Sequence, residues 1–214
     1  EQVEADVYAR VSPKSVGFEP STTFAIVHGV GAVVVGEGNY SNGSPVMASD
    51  TLADALRDAA KDPEVKAIVL RLDSPGGSPL ASDLIWQAIR DIQKQGKPVI
   101  ASLSDLAASG GYYVASAADV IVSQPQTLTG SIGVFVIRPV LAGLFEKLGG
   151  TGEPPTRGAR ADPLLSTLPM RAGTPAPPRP EGEHTHPRFL ARVAGGPGLE
   201  TGGAGGGARG GASA

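Results

Sequence analysis

The strongest constraint on the fold of this 214-residue chain is a repeated change of hydrophobic period. The segment KAIVLRLD, residues 66–73, has the apolar pattern of a buried strand. After the turn SPGGS, Ser78 is predicted to cap a helix that begins at Pro79 and ends at Gly96. Its predicted apolar stripe consists of Leu84, Ile85, Ala88, Ile89 and Ile92. The strand pattern then returns in PVIASL, residues 98–103. This alternation predicts a layered α/β domain whose strands are joined by right-handed crossovers.

The same alternation continues on both sides of this unit. Residues 23–38 form a glycine-bounded apolar run that predicts one or two buried strands, and residues 51–62 predict a helix. A short helix over about 109–118, the strands DVIVSQ and IGVFVI, and a helix near 139–148 are predicted further along.

Composition divides the chain into three regions. Residues 1–22 are polar and predict a lead-in segment, whereas residues 23–150 carry the predicted single domain. After Gly149 the sequence becomes rich in glycine and proline, and such a segment buries too little apolar surface to offset its ordering entropy. We therefore expect residues 151–214 to be a largely irregular C-terminal tail.

Charge and composition argue against several classes of function. The net charge is −3 with acids and bases interspersed, so we expect no nucleic-acid partner. Without cysteine the chain has neither disulfides nor a thiolate metal site. His184 and His186 lack companion ligands, and we predict no metal and no cofactor. No apolar run reaches the roughly 18 residues of a spanning helix; because Glu1 is not an initiator methionine, we expect any membrane anchor to lie upstream.

The turn DSPGGS, residues 73–78, places two glycines between a strand and a helix. Backbone N–H groups at Gly76 and Gly77 would be sterically accessible there, which is how an oxyanion hole is built. A tight turn that only needs positive φ would explain the same glycines. No Gly-Lys-Ser/Thr follows at the distance that a phosphate-binding loop requires.

The turn AASGG places Ser109 at a second strand-to-helix junction. Its hydroxyl would be exposed there and the N–H of Gly110 could join the oxyanion donors, as in a nucleophile elbow, although G-x-S-x-G is absent. The alternative is that Ser109 only caps the following helix. His28 lies in an apolar strand pattern and is predicted to be a packed core residue. A lysine whose pKa is lowered by burial is the other known activator of a serine nucleophile.

Together these motifs resemble the signal peptide peptidase A (protease IV) family, serine–lysine proteases of the ClpP/crotonase superfamily. The matching segments are VKAIVLRLDSPGGS, KPVIASLSDLAASGGYYVASAADVIVSQPQTLTGSIGV and, more loosely, FEKLG. The resemblance covers roughly residues 20–150, and the long motifs occur in the family's order and at its separation. The resemblance implies a ClpP/crotonase-like layered β-α-β superhelix.

The resemblance also implies a role for each residue of the two turns and of TGSIGV. Ser109 would be the nucleophile, Ser131 would orient the general-base lysine, and the oxyanion donors would be Gly76, Gly77 and Gly110. The implied substrates are hydrophobic peptides such as cleaved signal peptides. A homo-oligomeric ring is implied as well, membrane-associated in the bacterial cell envelope with the catalytic domain outside the cytoplasm.

The chain departs from the family at the lysine. Short family members carry it in a segment similar to RGARADPLLS, where this chain has Ala161. Arg157 and Arg160 stay protonated and cannot act as bases. In long, duplicated members the lysine comes from the N-terminal half, so the chain resembles the C-terminal, nucleophile-bearing half of such a member. The lysine would then come from another domain or subunit.

Two alternatives remain open beside this peptidase. The chain could be a catalytically incomplete pseudoenzyme or assembly subunit, or a crotonase-like acyl-thioester enzyme. Its own lysines do not decide the matter, because Lys14 precedes the predicted fold and Lys147 ends a predicted helix. The others flank predicted elements at polar positions and are expected to be solvated: Lys61, Lys66, Lys94 and Lys97.

Overall fold

The computed structural model describes residues 22–134, 141–150 and 182–197, together with the single positions Val11, Ser15 and Gly17. Within these segments the chain forms eight strands and five helices. In chain order they are β1 (Thr23–Val30), β2 (Ala32–Val34), β3 (Tyr40–Ser41), β4 (Ser44–Ala48), α1 (Ser49–Lys61), β5 (Val65–Ser74), α2 (Pro79–Lys94), β6 (Val99–Ala108), α3 (Gly110–Ala115), β7 (Val120–Val122), β8 (Leu128–Gly130), α4 (Ala142–Lys147) and α5 (Gly182–Ala194).

The main sheet is parallel and has the order β1-β5-β6-β7, with β8 also paired to β6. β7 pairs near the start of β6, and β8 pairs with its last residues, Leu106–Ala108. A small second sheet has the order β2-β4-β3. The predicted layered α/β fold with parallel crossovers is therefore confirmed. The predicted strand IGVFVI is not formed over residues 132–134, and its remaining residues lie outside the described segments.

The core lies between this sheet and the helices that connect its strands. Inward side chains of β5 and β6 meet apolar residues of α1 and α2 in one buried cluster, which includes Leu56, Leu70, Ile85, Ile89 and Leu103. Alternate residues of the long parallel strands thus supply one wall, and i, i+4 positions of the helices supply the other.

The start of α2 follows the sequence prediction. The hydroxyl of Ser78 accepts a hydrogen bond from the N–H of Ala81 at 3.3 Å, and Pro79 occupies the first turn. The predicted apolar stripe is wrong at Leu84, which is 41% exposed, whereas Ala81 is buried. The stripe follows the i, i+4 spacing from Ala81 to Ile85, and this spacing leaves Leu84 outside it.

A helix lies within the region for which the composition predicted a largely irregular tail. Phe189 and Val193 of α5 are buried against Tyr113, although Pro187 lies inside the helix. Proline costs about 3 kcal/mol in a helix interior, so α5 depends on this packing rather than on helix propensity. The prediction for residues 151–181 and 198–214 falls outside the described segments. None of the described helices combines the length and apolarity that crossing a bilayer requires.

We expect Ile85→Ala to lower the free energy of unfolding by about 2–5 kcal/mol, because it leaves a cavity beneath the sheet. Leu84→Ala, one position away and exposed, is the matched control and should change stability by less than about 0.5 kcal/mol. Urea unfolding followed by circular dichroism measures both. Equal losses would contradict the placement of α2.

Candidate active site

Three turns meet at one edge of the main sheet. Because β5, β6 and β8 are parallel, their carboxyl ends lie at the same edge, where open α/β sheets bind ligands. Ala108 pairs with Gly130 at the end of β6 and β8, and the N–H of Ser109 donates to the carbonyl of Gly130 at 2.9 Å. Ser109 and Ser131 are therefore the first residues after this pair, at the ends of two neighbouring strands. This register brings two residues that are 22 positions apart in sequence side by side.

The backbone of Ser109 is held in an unusual conformation, with φ 50° and ψ −120°. A non-glycine residue at positive φ costs on the order of 1–3 kcal/mol, and such strain clusters at functional sites. The residue is half-buried, and its side chain makes no capping hydrogen bond to α3. The explanation that Ser109 only caps the helix is therefore wrong. The strand-to-helix geometry is that of a nucleophile elbow.

Gly76 lies directly against Ser109. A Cβ atom added at Gly76 would be 2.6 Å from the backbone nitrogen of Gly110 and 2.7 Å from the Cβ of Ser109. The φ of Gly76 is also positive, at 96°. The turn therefore needs left-handed backbone at Gly76, as the second explanation predicted, and the approach of the turn at Ser109 also requires a residue without a side chain.

Two hydrogen bonds with Val33 of β2 hold the turn around Gly77 in place. The N–H of Val33 donates to the carbonyl of Gly76 at 2.9 Å, and the N–H of Ser78 donates to the carbonyl of Val33 at 2.8 Å. A Cβ at Gly77 would be 2.3 Å from that same Val33 carbonyl oxygen. The second, smaller sheet thus fixes the turn that faces Ser109.

Two of the three predicted oxyanion donors are unpaired among the described residues. The N–H groups of Gly77 and Gly110 have no hydrogen-bond acceptor there, and Gly110 begins α3, where helices leave their N–H groups free. They are neighbours, since a Cβ at Gly110 would be 3.1 Å from the nitrogen of Gly77. The N–H of Gly76 instead donates to the hydroxyl of Ser74 at 3.1 Å. The sequence analysis predicted the same donor role for all three glycines and did not distinguish Gly76, whose N–H is already bonded, from Gly77 and Gly110.

A cleft of about 430 Å³ opens beside these groups. It is lined by all five residues singled out from the sequence as nucleophile, orienting serine or oxyanion donors, and by residues of α5. The lining consists of Pro75, Gly76, Gly77, Pro79, Ser109, Gly110, Tyr113, Ser131, Gly133, Val134, Thr185 and Phe189. Its described lining carries no charged side chain, so it suits an apolar segment of polypeptide.

No lysine of the described segments lines this cleft. Lys97 donates to the carbonyls of Asp62 and Val65, at 2.7 and 2.6 Å, near the amino end of β5. Lys66 likewise donates to the carbonyl of Pro63. Lys61 and Lys94 form exposed ion pairs on their own helices, and Lys147 ends α4. The positions Lys14, Arg157, Arg160 and Ala161 lie outside the described segments.

The histidines take no part in the cleft. His28 is exposed on β1, beside Ile26 and Val30, so the prediction of a packed core histidine is wrong. The reason is the alternation along β1: Ala25 and Val27 pack against the core, and His28 lies on the opposite face of the strand, which is exposed. His184 and His186 lie on α5. Across the described segments no group of three potential metal ligands occurs.

Sequence reasoning missed the contribution of α5. Thr185 and Phe189 line the cleft, and Phe189 packs on Tyr113 with ring centroids 4.9 Å apart. The signal was the four-residue spacing of Thr185, Phe189 and Val193, which places them on one helix face. The glycine- and proline-rich surroundings of this segment concealed that spacing.

A charged network holds α5 against α2 and α3. The hydroxyl of Tyr113 donates to Oδ1 of Asp83 at 2.6 Å, and a guanidinium nitrogen of Arg192 lies 3.3 Å from the same oxygen. Burial acts to raise the pKa of Asp83, but hydrogen bonds from Tyr113 and Gln87 and the charges of Arg188 and Arg192 outweigh it and lower the pKa below its ordinary 3.8. Burial and the bond to Asp83 raise the pKa of Tyr113 to about 12.

Within the described segments, Ser109 lies in a strained strand-to-helix turn, beside two unpaired backbone N–H groups and a cleft without charged side chains. This arrangement resembles the active sites of α/β serine enzymes that catalyse acyl transfer. The family is shown by the sequence itself. The model of peptidase family S49 matches residues 91–201, which is more than half of the chain, and the chain belongs to that family. The resemblance to signal peptide peptidase A is thereby confirmed.

Several curated relatives of the chain are proteases. It is 44% identical to the chloroplastic serine protease SPPA of Arabidopsis thaliana over 65% of this chain and 20% of that protein. It is 38% identical to Protease 4 of Haemophilus influenzae over 79% of this chain and 27% of that one. The chain thus spans about a fifth to a quarter of these relatives. A solved membrane-bound stomatin-specific protease aligns at 25% identity over 58% of this chain and 52% of its own, with a TM-score of 0.40.

We expect Gly76→Ala to destabilise the protein more than Gly96→Ala does. Both glycines have positive φ, 96° and 82°, so each substitution strains the backbone by about 1–2 kcal/mol. Only Gly76 faces other atoms, whereas nothing lies within 4 Å of a Cβ at Gly96. The crowding should add about 1–3 kcal/mol to the loss, measured by urea unfolding. Equal losses would show that the two turns are not in contact.

We also expect acid to loosen α5. Because the pKa of Asp83 is lower in the folded state, its carboxylate contributes stability at pH values above about 3.8, and this contribution is lost as the pH falls through the lower folded value. The fluorescence of Trp86, the one tryptophan in the chain, reports the change because Arg192 stacks on its ring at 3.6 Å. Asp83→Asn should show altered emission at pH 7 and little further change in acid. An unchanged neutral spectrum would contradict this role of Asp83.

Proposed function

We propose that the chain is the nucleophile-bearing part of a serine–lysine endopeptidase that degrades hydrophobic peptides, such as cleaved signal peptides. The observation that carries the proposal is the placement of Ser109, held at positive φ beside the unpaired N–H groups of Gly77 and Gly110. Membership of peptidase family S49 supports the same reaction.

In the proposed reaction the hydroxyl oxygen of Ser109 attacks a substrate carbonyl carbon while its proton passes to a lysine amine. The carbonyl oxygen becomes an oxyanion and accepts hydrogen bonds from Gly77 and Gly110. Such donors are each worth about 2.7–4 kcal/mol in the transition state. The C–N bond then breaks as the lysine returns the proton to the leaving amine, and water hydrolyses the acyl-enzyme by the same route. Ser131, beside Ser109 at the strand ends, would accept a hydrogen bond from the lysine amine and orient it.

The lysine is proposed to come from another domain or subunit. The described lysines are engaged elsewhere or lie away from the cleft, and the position that matches the lysine of short family members is Ala161. We also propose a homo-oligomeric ring in the bacterial cell envelope, with the catalytic domain outside the cytoplasm. This last proposal rests on the family alone.

One observation favours a second candidate. If no lysine reaches Ser109, the chain is a pseudoenzyme or assembly subunit that binds hydrophobic peptide without cleaving it, and Ala161 supports this reading. The acyl-thioester alternative has no comparable support, because the matching family model is that of a peptidase. The two remaining candidates share the cleft and differ only in the base.

We expect Ala161→Lys to give the isolated chain peptidase activity that it otherwise lacks. A positioned general base contributes about 10²–10⁴-fold to rate, so hydrolysis of casein should rise by at least tenfold above that of the unmodified chain. Ala161→Arg is the matched control, since a guanidinium stays protonated and should give no gain.

The gain must disappear when Ser109→Ala is added to Ala161→Lys. A fluorophosphonate probe should label Ala161→Lys and fail to label the double variant, because only an activated serine reacts. If the unmodified chain alone hydrolyses casein rapidly in a Ser109-dependent manner, the missing-lysine proposal is wrong. If Ala161→Lys gains nothing even though it folds, the pseudoenzyme is favoured.

A further inference from the structure

One wall of the cleft comes from a helix that lies far from the catalytic turns in sequence. Phe189 and Thr185 of α5 face the same space as Ser109, although 80 positions separate Phe189 from the serine. Phe189 is only 2% exposed and Tyr113 only 3%, and their rings pack with an interplanar angle of 40°. The wall is therefore a pair of packed aromatic rings that are almost fully buried and line the cleft with only a small part of their surface.

These rings are fixed in place from behind. The hydroxyl of Tyr113 is tied to Asp83 at 2.6 Å, and Arg192 contacts the same carboxylate and stacks on Trp86. Val193 fills the space beneath Phe189 and is 1% exposed. Side chains packed at this density do not recede when a larger group presses on them, because overpacking forces strained rotamers and backbone shifts.

The rings also lie close to the reacting centre. Tyr113 stands three residues after Gly110 in the six-residue helix α3, so the ring and the oxyanion N–H are about one turn apart on one element. Tyr113, Phe189 and the prolines line the same cleft as Ser109 and Gly110. They would therefore bound the space for the side chain of a peptide residue held at these two groups.

We propose that Phe189, with Tyr113, determines substrate specificity by limiting the residue at the scissile carbonyl to a small apolar side chain. This inference rests on the proposed peptidase function, because it assumes that a peptide occupies the cleft. It makes α5 a specificity element supplied by the C-terminal part of the chain. Removal of the Phe189 ring should open the wall and admit a phenylalanine side chain.

The test measures binding without turnover. Two N-acetylated tripeptide amides, identical except for a final alanine or phenylalanine, are titrated calorimetrically into the full chain carrying Ser109→Ala. A hydrophobic pocket can distinguish two ligands that differ by one methylene group by about tenfold or more. We therefore expect the alanine peptide to bind at least tenfold more tightly than the phenylalanine peptide. Adding Phe189→Ala should reduce this preference to threefold or less, mainly through tighter binding of the phenylalanine peptide.

Val193→Ala is the matched control. It weakens the same buried cluster but does not line the cleft, so it should keep the preference for alanine. Trp86 fluorescence checks that α5 remains docked in each variant. Should Phe189→Ala fail to fold, Phe189→Leu keeps apolar contact with less bulk and is expected to give an intermediate preference.

Three results would overturn the inference: no binding of either peptide, an unchanged preference in the docked Phe189 variants, or an equal loss in Val193→Ala. The proposed function is tested separately by fluorophosphonate labelling of Ser109 in the Ala161→Lys chain. Selective binding without labelling would support the specificity wall and favour the pseudoenzyme over the peptidase. Labelling without selective binding would do the reverse.

Discussion

The site depends on a contact between two stretches of backbone. Gly76 approaches Ser109 and Gly110 so closely that even one methyl group would collide with main-chain atoms. This contact places the end of β5 against the start of α3, and it is what brings the free N–H of Gly77 next to that of Gly110. An oxyanion hole assembled from main chain is rigid, because neither donor has a rotatable side chain that must be ordered in the transition state.

Parallel strand register supplies the rest of the constellation. β5 and β6 carry their turns to the same edge, and the pairing of β8 with the last residues of β6 places Ser131 beside Ser109. Both serines have φ near 50°, and the bond from Ser109 to Gly130 locks one turn to the other. A shift of this register would separate the two serines and break that bond. The three-residue strand β8 therefore determines the position of Ser131 relative to Ser109.

What the sequence predicts well is local. The strand–helix alternation, the capping of α2 by Ser78 and the two glycine turns follow from period and turn chemistry over a few residues. The predictions that were wrong or missing concern the tertiary environment of a residue. His28 lies in an apolar run but on the exposed face of β1, and Leu84 belongs to an apolar run but not to the buried stripe. The helix α5 was hidden because Pro187 and its glycine-rich surroundings oppose helix formation, and only contacts with Tyr113 and Asp83 offset that cost. The source of the base was unpredictable for a related reason, since no local pattern says which segment reaches Ser109.

The helix α3 carries residues of both proposed roles of the cleft. Its first residue, Gly110, has the free N–H that we propose as an oxyanion donor, and Tyr113, one turn later, forms part of the proposed specificity wall. The carbonyl of Ser109 accepts the N–H of Tyr113 at 2.8 Å, so the strained serine is also the first hydrogen-bond acceptor of this helix. Through Asp83, Tyr113 is in turn connected to Arg192 of α5. A displacement of α5 would therefore act on α3, the six-residue helix that carries both the proposed oxyanion donor and part of the proposed specificity wall. The buried carboxylate of Asp83 is the link between the three helices. An apolar residue in its place would avoid the desolvation cost but would leave the Tyr113 hydroxyl without its partner.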